Sequence, residues 1–213
     1  MAHTLPGYLI ERFQRWHSER FQPNRAWYGR LATNGQRPRA MVVSCCDSRL
    51  DVVQMFGAEP GDLFVVRNVA NLVPPYKPDH QHHGTSAAVE YAVGGLGVAH
   101  IVVVGHSDCG GVAACAKMCS GEAPELDETS SFIGRWMDIL RPGYAKISHE
   151  KDPKVRATAL EHEAVRTSLA NLQSFPFVQK AVREGLLTLH GTWVDIGTGQ
   201  LHVMGQNGKF SPA

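Results

Sequence analysis

The chain has 213 residues, with 21 Lys and Arg residues against 20 Asp and Glu residues. This length suits one well-cored domain of α/β size and is short for two ordinary domains. A formal net charge of +1 gives no electrostatic reason to expect a nucleic acid or an anionic membrane as the main partner. The sequence contains no run of about 18 apolar residues and no visible secretory signal. Membrane, secreted and fibrous classes are therefore excluded, and we expect a cytoplasmic protein.

The cysteines fall in two clusters, at positions 45 and 46 and at positions 109, 115 and 119. Five is an odd number, and a disulfide framework would spread its cysteines as staples across a small secreted fold. Metal binding or thiol chemistry is therefore the better interpretation of these cysteines.

The first part of the chain predicts a helix over residues 8–21, because Leu9, Phe13 and Trp16 recur at helical spacing with charges between them. This helix either packs on the core or forms an arm that clasps a second subunit. Residues 24–38 contain Gly, Asn and Pro, and they predict a loop with a short helical turn.

Three short apolar runs follow, at residues 40–44, 63–66 and 101–104. Runs of this length without alternation are typical of parallel strands that are covered on both faces. A helix is expected over residues 89–96, between the second and third runs. Strands that alternate with helices predict a parallel sheet with right-handed crossovers.

The rest of the chain predicts a loop and then a helix over residues 122–141, and a further helix that begins at Asp152 and Pro153. Two strands, at residues 186–195 and 200–204, predict a hairpin. The predicted fold class is α/β, with a mostly parallel central β-sheet flanked by α-helices and an N-terminal helical arm, all in a single domain.

Polar residues follow the first and third strands, at the edge of a parallel sheet where binding sites form. Cys45 follows the first run, and His106 and Cys109 follow the third. If the two strands are neighbours, these three side chains meet at one point. Two thiolates and an imidazole suit Zn²⁺, and the His-x-x-Cys spacing lets one turn supply two ligands.

A fourth ligand decides whether such a site is structural or catalytic, since a catalytic zinc keeps one position for water. Asp47 could supply it, which leaves the count ambiguous. Arg49, two residues along, could instead take the Asp47 carboxylate in a bidentate pair and hold it near the metal without ligation. This pairing favours the open, catalytic form.

Three motifs together resemble the β-class carbonic anhydrases. They are Cys-x-Asp-Ser-Arg from Cys45, Arg-Asn-x-Ala-Asn from Arg67, and Gly-His-x-x-Cys-Gly-Gly from Gly105. The likeness runs from about Gln36 to Val112. It implies a mostly parallel sheet flanked by helices, with dimers as the building unit. It also implies reversible hydration of CO2 to bicarbonate and a proton, through a zinc-bound hydroxide that an Asp-Arg dyad orients.

The resemblance also implies the role of each residue at the metal. Cys45, His106 and Cys109 would ligate one Zn²⁺ per chain, and Asp47 and Arg49 would form the catalytic dyad. At low pH, the Asp47–Arg49 pair would open and Asp47 would become the fourth ligand in a closed state.

The chain is also similar to the plant-type branch of the family, which implies a substrate pocket. Gln36 and Gly110 match groups that hydrogen-bond the substrate, and Phe64, Val69 and Tyr91 match apolar walls formed in part across a dimer interface. Another branch has a Trp three residues before the first ligand, which helps to form an inhibitory bicarbonate site. Val42 stands there in this chain, so we predict no such regulation.

These implications divide the single domain into three parts: a helical arm at residues 1–35, a zinc-site core at 36–120, and C-terminal helices and edge strands at 121–213. The expected partners are CO2, bicarbonate and further copies of the chain, as a dimer or dimer of dimers, with no nucleic acid and no membrane.

The remaining chemistry-bearing residues receive structural interpretations. Arg67 and Asn68 are expected to fix a turn, and Cys46 to point into the core. We expect Cys115 to be a small buried hydrophobic residue and Cys119 to be a surface thiol. The histidines at positions 80, 82 and 83 are expected to lie in a solvated loop, or alternatively to act as a proton relay.

Two other functions stay open. The same fold and metal could hydrolyse a related molecule such as carbonyl sulfide or carbon disulfide. The cysteines could instead belong to a redox- or zinc-sensing module, which predicts four protein ligands on zinc and leaves Asp47, Arg49 and Gln36 unexplained.

Overall fold

The structure is a computed structural model that describes residues 3–79 and 83–213. Contacts between Cα atoms divide the chain into two compact units, Met1–Arg37 and Pro38–Ala213. The single-domain interpretation, with its internal boundaries after residues 35 and 120, stays a prediction.

The first unit is a helical arm, as predicted. Helix α1 (Gly7–Trp16) continues into a π-helical turn (His17–Phe21), and a second helix, α2, covers Arg25–Asn34. The loop expected over residues 24–38 is therefore wrong for most of its length. Aromatic packing explains the difference, because the Phe21 ring lies 4.9 Å from the Tyr28 ring and holds α2 against the turn.

Six strands form the sheet of the second unit, in the order β2-β1-β3-β4-β5-β6. The first four in this order pair in parallel, and β5 and β6 add to the edge in antiparallel fashion. The mostly parallel sheet and the hairpin of β4 and β5 are thus as predicted. The bounds are β1 Ala40–Cys45, β2 Leu63–Asn68, β3 His100–His106, β4 Thr188–Val194, β5 Leu201–Met204 and β6 Phe210–Pro212.

Seven α-helices of the second unit lie within the described residues and cover both faces of the sheet. The longest, α8, begins as predicted, since the Asp152 side chain accepts hydrogen bonds from the N–H groups of Lys154 and Val155. The bounds are α3 Val52–Met55, α4 Gly84–Glu90, α5 Gly110–Ser120, α6 Phe132–Met137, α7 Arg141–Ile147, α8 Pro153–Leu172 and α9 Pro176–Arg183.

Two apolar clusters form the core, one on each face of the sheet. Val42 and Val104 belong to one cluster, and Met41 and Val103 to the other. This alternation explains why the strands read as continuous apolar runs, because both faces of a parallel sheet are buried. No helix in the described part of the chain is long and apolar enough to cross a membrane.

Strand register sets the position of the site. Ser44 of β1 pairs with Val104 of β3 in parallel register. Cys45 and His106, at the last positions of these two strands, therefore emerge side by side at the carboxyl edge of the sheet.

Candidate metal centre and its surroundings

Three buried side chains meet at this edge, as the sequence predicts. Cys45 ends β1, His106 ends β3, and Cys109 stands immediately before α5. Their potential ligand atoms all lie within 4.8 Å of one another. Each residue is at most 5% exposed. In the described residues this is the one such cluster of three or more Cys, His or acidic side chains.

The imidazole of His106 is held in one orientation. Its Nδ1 lies 2.8 Å from the carbonyl oxygen of Ser107, to which it donates, and its buried Nε2 has no hydrogen-bond partner among the described residues. Burial is the largest influence and lowers the pKa of His106, but Cys45, the Ser107 carbonyl and the Asp47 charge together outweigh it, and the net shift is upward. An unpaired buried nitrogen beside two sulfurs is the arrangement a metal ion satisfies.

The thiols of Cys45 and Cys109 lie within hydrogen-bond distance, and their pKa values shift in opposite directions. A hydrogen bond from Cys109 lowers the pKa of Cys45, and the same contact raises the pKa of Cys109. The N–H groups of Gly111 and Val112 also point at the Cys109 sulfur and favour its thiolate. The first turn of α5 thus stabilises negative charge on this sulfur.

The geometry fits a tetrahedral zinc ion. Two sulfurs at about 2.3 Å from such an ion lie about 3.8 Å apart. The observed distance between the sulfurs of Cys45 and Cys109 is 3.9 Å. Two thiolates and one imidazole are also a donor set that zinc prefers. These three residues can therefore hold a metal, and they would supply three of its four ligands.

Asp47 and Arg49 form a bidentate pair beside the cluster. The Arg49 Nε lies 2.9 Å from Asp47 Oδ1 and its Nη2 lies 2.7 Å from Asp47 Oδ2. These charge-assisted hydrogen bonds hold the pKa of the Asp47 carboxyl well below its usual range. Asp47 Oδ2 lies 4.0 Å from His106 Nε2. The closed low-pH state, in which Asp47 leaves Arg49 and binds the metal, stays a prediction.

Backbone carbonyls lock this pair in place. Arg49 Nη2 also donates to the carbonyl of Asp108, whose φ of 54° turns the chain between the two ligands of the third motif. Arg67 donates to the carbonyls of Cys45, Asp47 and Leu50 at 3.0, 2.7 and 2.7 Å. The expectation that Arg67 fixes a turn is confirmed.

The double glycine serves two purposes. A Cβ on Gly111 would lie 2.5 Å from Val69 Cγ1, so the chain can approach here only without a side chain. A Cβ on Gly110 would meet no heavy atom within 4 Å, so space is open beside this residue. Val69, one of the expected pocket residues, is thereby held against the start of α5.

The other expected pocket residues do not gather at the metal within the second unit. The rings of Phe64 and Tyr91 lie 5.9 Å apart and contact each other. Phe64 pairs with Met41, four strand positions or about 13 Å before Cys45. Tyr91 is 52% exposed. Gln36 is an exposed residue of the first unit, after α2.

Glu161 of α8 is a site residue that the sequence reading missed. Its buried carboxylate accepts hydrogen bonds from the N–H of Cys109 at 3.3 Å and from Trp193 Nε1 at 3.0 Å. Burial raises the pKa of Glu161. One signal was available, because Glu161 stands on the buried face of α8 with Val165 and Leu172 at helical spacing.

The remaining cysteines and histidines have mixed outcomes. Cys46 is exposed, so its assignment to the core is wrong; β1 ends at Cys45 and the strand alternation ends with it. Cys115 is buried as predicted, and Cys119 is partly buried with its sulfur 4.0 Å away. His83 lies 2.7 Å from an Asp79 carboxylate oxygen. The histidines at positions 80 and 82 lie outside the described residues.

Comparisons with known proteins agree with this geometry. A family profile described as carbonic anhydrase matches residues 40–201. A carbonic anhydrase of Pseudomonas aeruginosa is 38% identical over 198 residues, which cover 92% of this chain and 86% of that protein. Beta carbonic anhydrase 3 of Arabidopsis thaliana is 34% identical over 204 residues, covering 94% and 77% of the two chains. The chain belongs to the β-carbonic anhydrase family.

Solved β-carbonic anhydrase structures share the fold. The structure of the β-carbonic anhydrase CcaA superposes with a TM-score of 0.87 at 30% identity, covering 97% of this chain and 91% of that one. A tetrameric β-carbonic anhydrase structure from Sordaria macrospora superposes with a TM-score of 0.76 at 30% identity, covering 93% and 95%.

Membership in the β-carbonic anhydrase family makes this chain an enzyme of the lyase class and confirms the predicted fold and family. Assignment to the plant-type branch stays a prediction, since relatives from a bacterium and a plant match at comparable identity.

Proposed function

We propose that the chain catalyses the reversible hydration of CO2 to bicarbonate and a proton, with one zinc ion held by Cys45, His106 and Cys109. The observation that carries the proposal is the unpartnered, buried Nε2 of His106 beside two sulfurs, with an ionised carboxylate 4.0 Å away. When bound, zinc would supply the Lewis acidity that makes a water molecule easier to deprotonate than bulk water.

Asp47 orients the attacking oxygen in this proposal. Arg49 keeps the Asp47 carboxylate ionised, so that Oδ2 accepts the hydrogen bond of the attacking O–H group. Accepting this bond turns a lone pair of the same oxygen toward the carbon of CO2. Arg49 itself is fixed by the Asp108 carbonyl at 3.0 Å, so the pair keeps one geometry during the reaction.

The two thiolates set the pH range of the activity. The thiolates of Cys45 and Cys109 would cancel the charge of a bound Zn²⁺, so water at this site would be less acidic than water on zinc held by three imidazoles. We therefore expect hydration activity to increase toward alkaline pH.

Substrate would be held by polar donors and apolar walls. The N–H of Gly110, in the open space at the start of α5, is proposed to donate to a CO2 oxygen as negative charge develops there. The side-chain amide of Gln36 is proposed to donate to the same substrate. Val69 would contribute one apolar wall, which suits a molecule with no net dipole.

Phe64 and Tyr91 are proposed to complete the pocket of a second subunit. Within one chain Phe64 lies four strand positions before Cys45 in register, and Tyr91, whose ring contacts Phe64, is half exposed. Exposed apolar residues of the arm, among them Tyr8 and Phe13 at 58% each, also suit a self-association surface. We propose a homodimer or a dimer of dimers in the cytoplasm. The tetrameric relative from Sordaria macrospora supports this proposal.

The decisive experiment measures zinc content and stopped-flow CO2 hydration on one preparation of the chain. Wild-type protein is expected to hold one zinc per chain and to hydrate CO2. Cys45→Ser is expected to lose both, whereas Cys46→Ser, a change at an exposed neighbour, is expected to keep both. Equal loss in the two variants would contradict the assignment of Cys45 as a ligand.

Two controls separate the other functions. Sulfide release from carbonyl sulfide, measured on the same samples, tests hydrolysis of a related substrate. X-ray absorption at the zinc edge counts the sulfur ligands, and four protein ligands without hydration activity would establish a sensing module instead.

A further inference from the structure

A cavity lies beside the candidate metal centre, between α5 and the first half of α8. Its volume is about 420 Å³, which is within the range of small-molecule sites. Its walls are mostly apolar. They are formed by Val112, Ala113 and Ala116 of α5, by Pro153, Ala157 and Leu160 of α8, and by Tyr144 of α7.

Two cations at this cavity have no acidic partner. Lys117 and Arg156 line it. Within residues 3–79 and 83–213 neither forms an ion pair. Arg156 Nη1 donates a hydrogen bond to the carbonyl of Glu150. Two unpaired cations above apolar walls are complementary to an anion that carries an apolar body.

The acidic residues of the cavity are already engaged. Both oxygens of Glu161 accept N–H donors, from Cys109 and Trp193. Glu122 accepts a hydrogen bond from Ser120 at 2.9 Å. Asp108 lies in the electrostatic field of Arg49. Lys117 and Arg156 are therefore the cations of the cavity that an anionic ligand would contact.

We propose that this cavity binds a small organic anion with a ring-sized apolar body, such as an aromatic carboxylate, and that its occupancy alters catalysis through Cys109. Cys109 and Glu161 line the cavity and are joined by the hydrogen bond at the start of α5. An occupant therefore touches the residue that supplies a metal ligand. The binding site stands independently of the proposed function, whereas its effect on catalysis rests on that function.

The test uses calorimetric titration of the zinc-loaded protein with 2-naphthoate. One molecule per chain is expected to bind. Acetate has the charge without the ring and 2-naphthamide the ring without the charge, and both are expected to bind at least about tenfold more weakly. Equal binding of the amide would overturn the assignment of an anion site.

Variants locate the bound anion. The double variant Lys117→Gln and Arg156→Gln, and separately Ala157→Phe, are expected to weaken binding at least about tenfold. Lys154→Gln is the matched control, because Lys154 belongs to the same turn of α8 but does not line the cavity. It is expected to bind as wild type does.

Carboxylates can also bind a metal, so the titration is repeated with saturating azide, which can occupy the open metal position. If azide abolishes naphthoate binding, and the double variant still binds naphthoate, then naphthoate binds at the metal and the proposal is overturned.

Kinetics test the link to Cys109. Saturating naphthoate is expected to change kcat at least twofold in wild type but not in the double variant. An unchanged kcat would overturn the link. Absence of hydration in the ligand-free wild type would contradict the proposed function instead, and leave the binding result standing.

Discussion

The Glu161 carboxylate connects α8 to the metal centre, and Glu161→Ala tests how much that connection contributes. In the wild type, the carboxylate satisfies two buried donors, the N–H of Cys109 at 3.3 Å and the indole N–H of Trp193 at 3.0 Å. Alanine leaves both donors without an acceptor in a site that is nearly inaccessible to solvent, since Glu161 is 5% exposed.

The expected loss of stability follows from the free-energy cost of leaving buried hydrogen-bond donors without an acceptor. Each costs about 1–3 kcal/mol, and the 3.3 Å bond belongs at the low end of this range. Removing the carboxylate also relieves the desolvation that raises its pKa, which offsets part of the loss. We expect a net decrease in the free energy of unfolding of about 2–3 kcal/mol. For a chain of this size the corresponding decrease in Tm is about 4–12 °C.

The function of Glu161 at the metal predicts a second effect. Groups that orient metal ligands typically contribute about 10–100-fold to metal affinity. Glu161→Ala should therefore lose zinc to a competing chelator at about 10–100-fold lower chelator concentration. Calorimetry at matched chain concentration measures Tm, and chelator competition measures affinity. Glu184→Ala, at an exposed helix end, is the control. If the two variants were indistinguishable in both measurements, the reasoning about Glu161 would be refuted.

Three further predictions concern other parts of the second unit. Asp47→Asn is expected to keep zinc but lose at least about 100-fold in kcat/KM, and stopped-flow rates near the wild-type value would contradict its role. Arg67→Ala removes three hydrogen bonds to carbonyls and should lower the free energy of unfolding in urea by about 1–2 kcal/mol. Arg67→Lys should recover less than half of that loss, because the compact ammonium group of lysine lacks the rigid, forked set of N–H donors with which arginine reaches several carbonyls. Burial lowers the pKa of His162 to about 4. The unfolded chain therefore takes up this proton near pH 6.5, and stability should fall as pH decreases from about 6.5 to 4. His162→Phe should flatten that part of the urea stability profile.

The strands and the candidate metal cluster could be predicted from the sequence because local signals specify them. The continuous apolar runs of β1, β2 and β3 mark a sheet that is covered on both faces. Since parallel strands end at one edge, polar residues placed directly after them must converge. Cys45 and His106 satisfy both conditions, and the structure brings them together.

Errors arose where tertiary contacts override local signals. Helix α2 contains Gly29 and follows Asn24, which suggested a loop, yet ring packing between Phe21 and Tyr28 holds it in place. Glu161 is separated from Cys109 by 52 residues, so no local spacing connects them. The apolar pair of Phe64 and Tyr91 is built within one chain, but its proposed contribution to a site would depend on a second copy that one sequence does not describe.

The hydrogen bond between Glu161 and Cys109 has a consequence for biosynthesis. All three proposed ligands leave the ribosome before α8 does, and Trp193, which donates to the Glu161 carboxylate, follows later still. A nascent chain can therefore gather its thiols around an ion while the support behind Cys109 is missing. Cotranslational loading would be weak and reversible, and tight capture would wait until translation has passed β4.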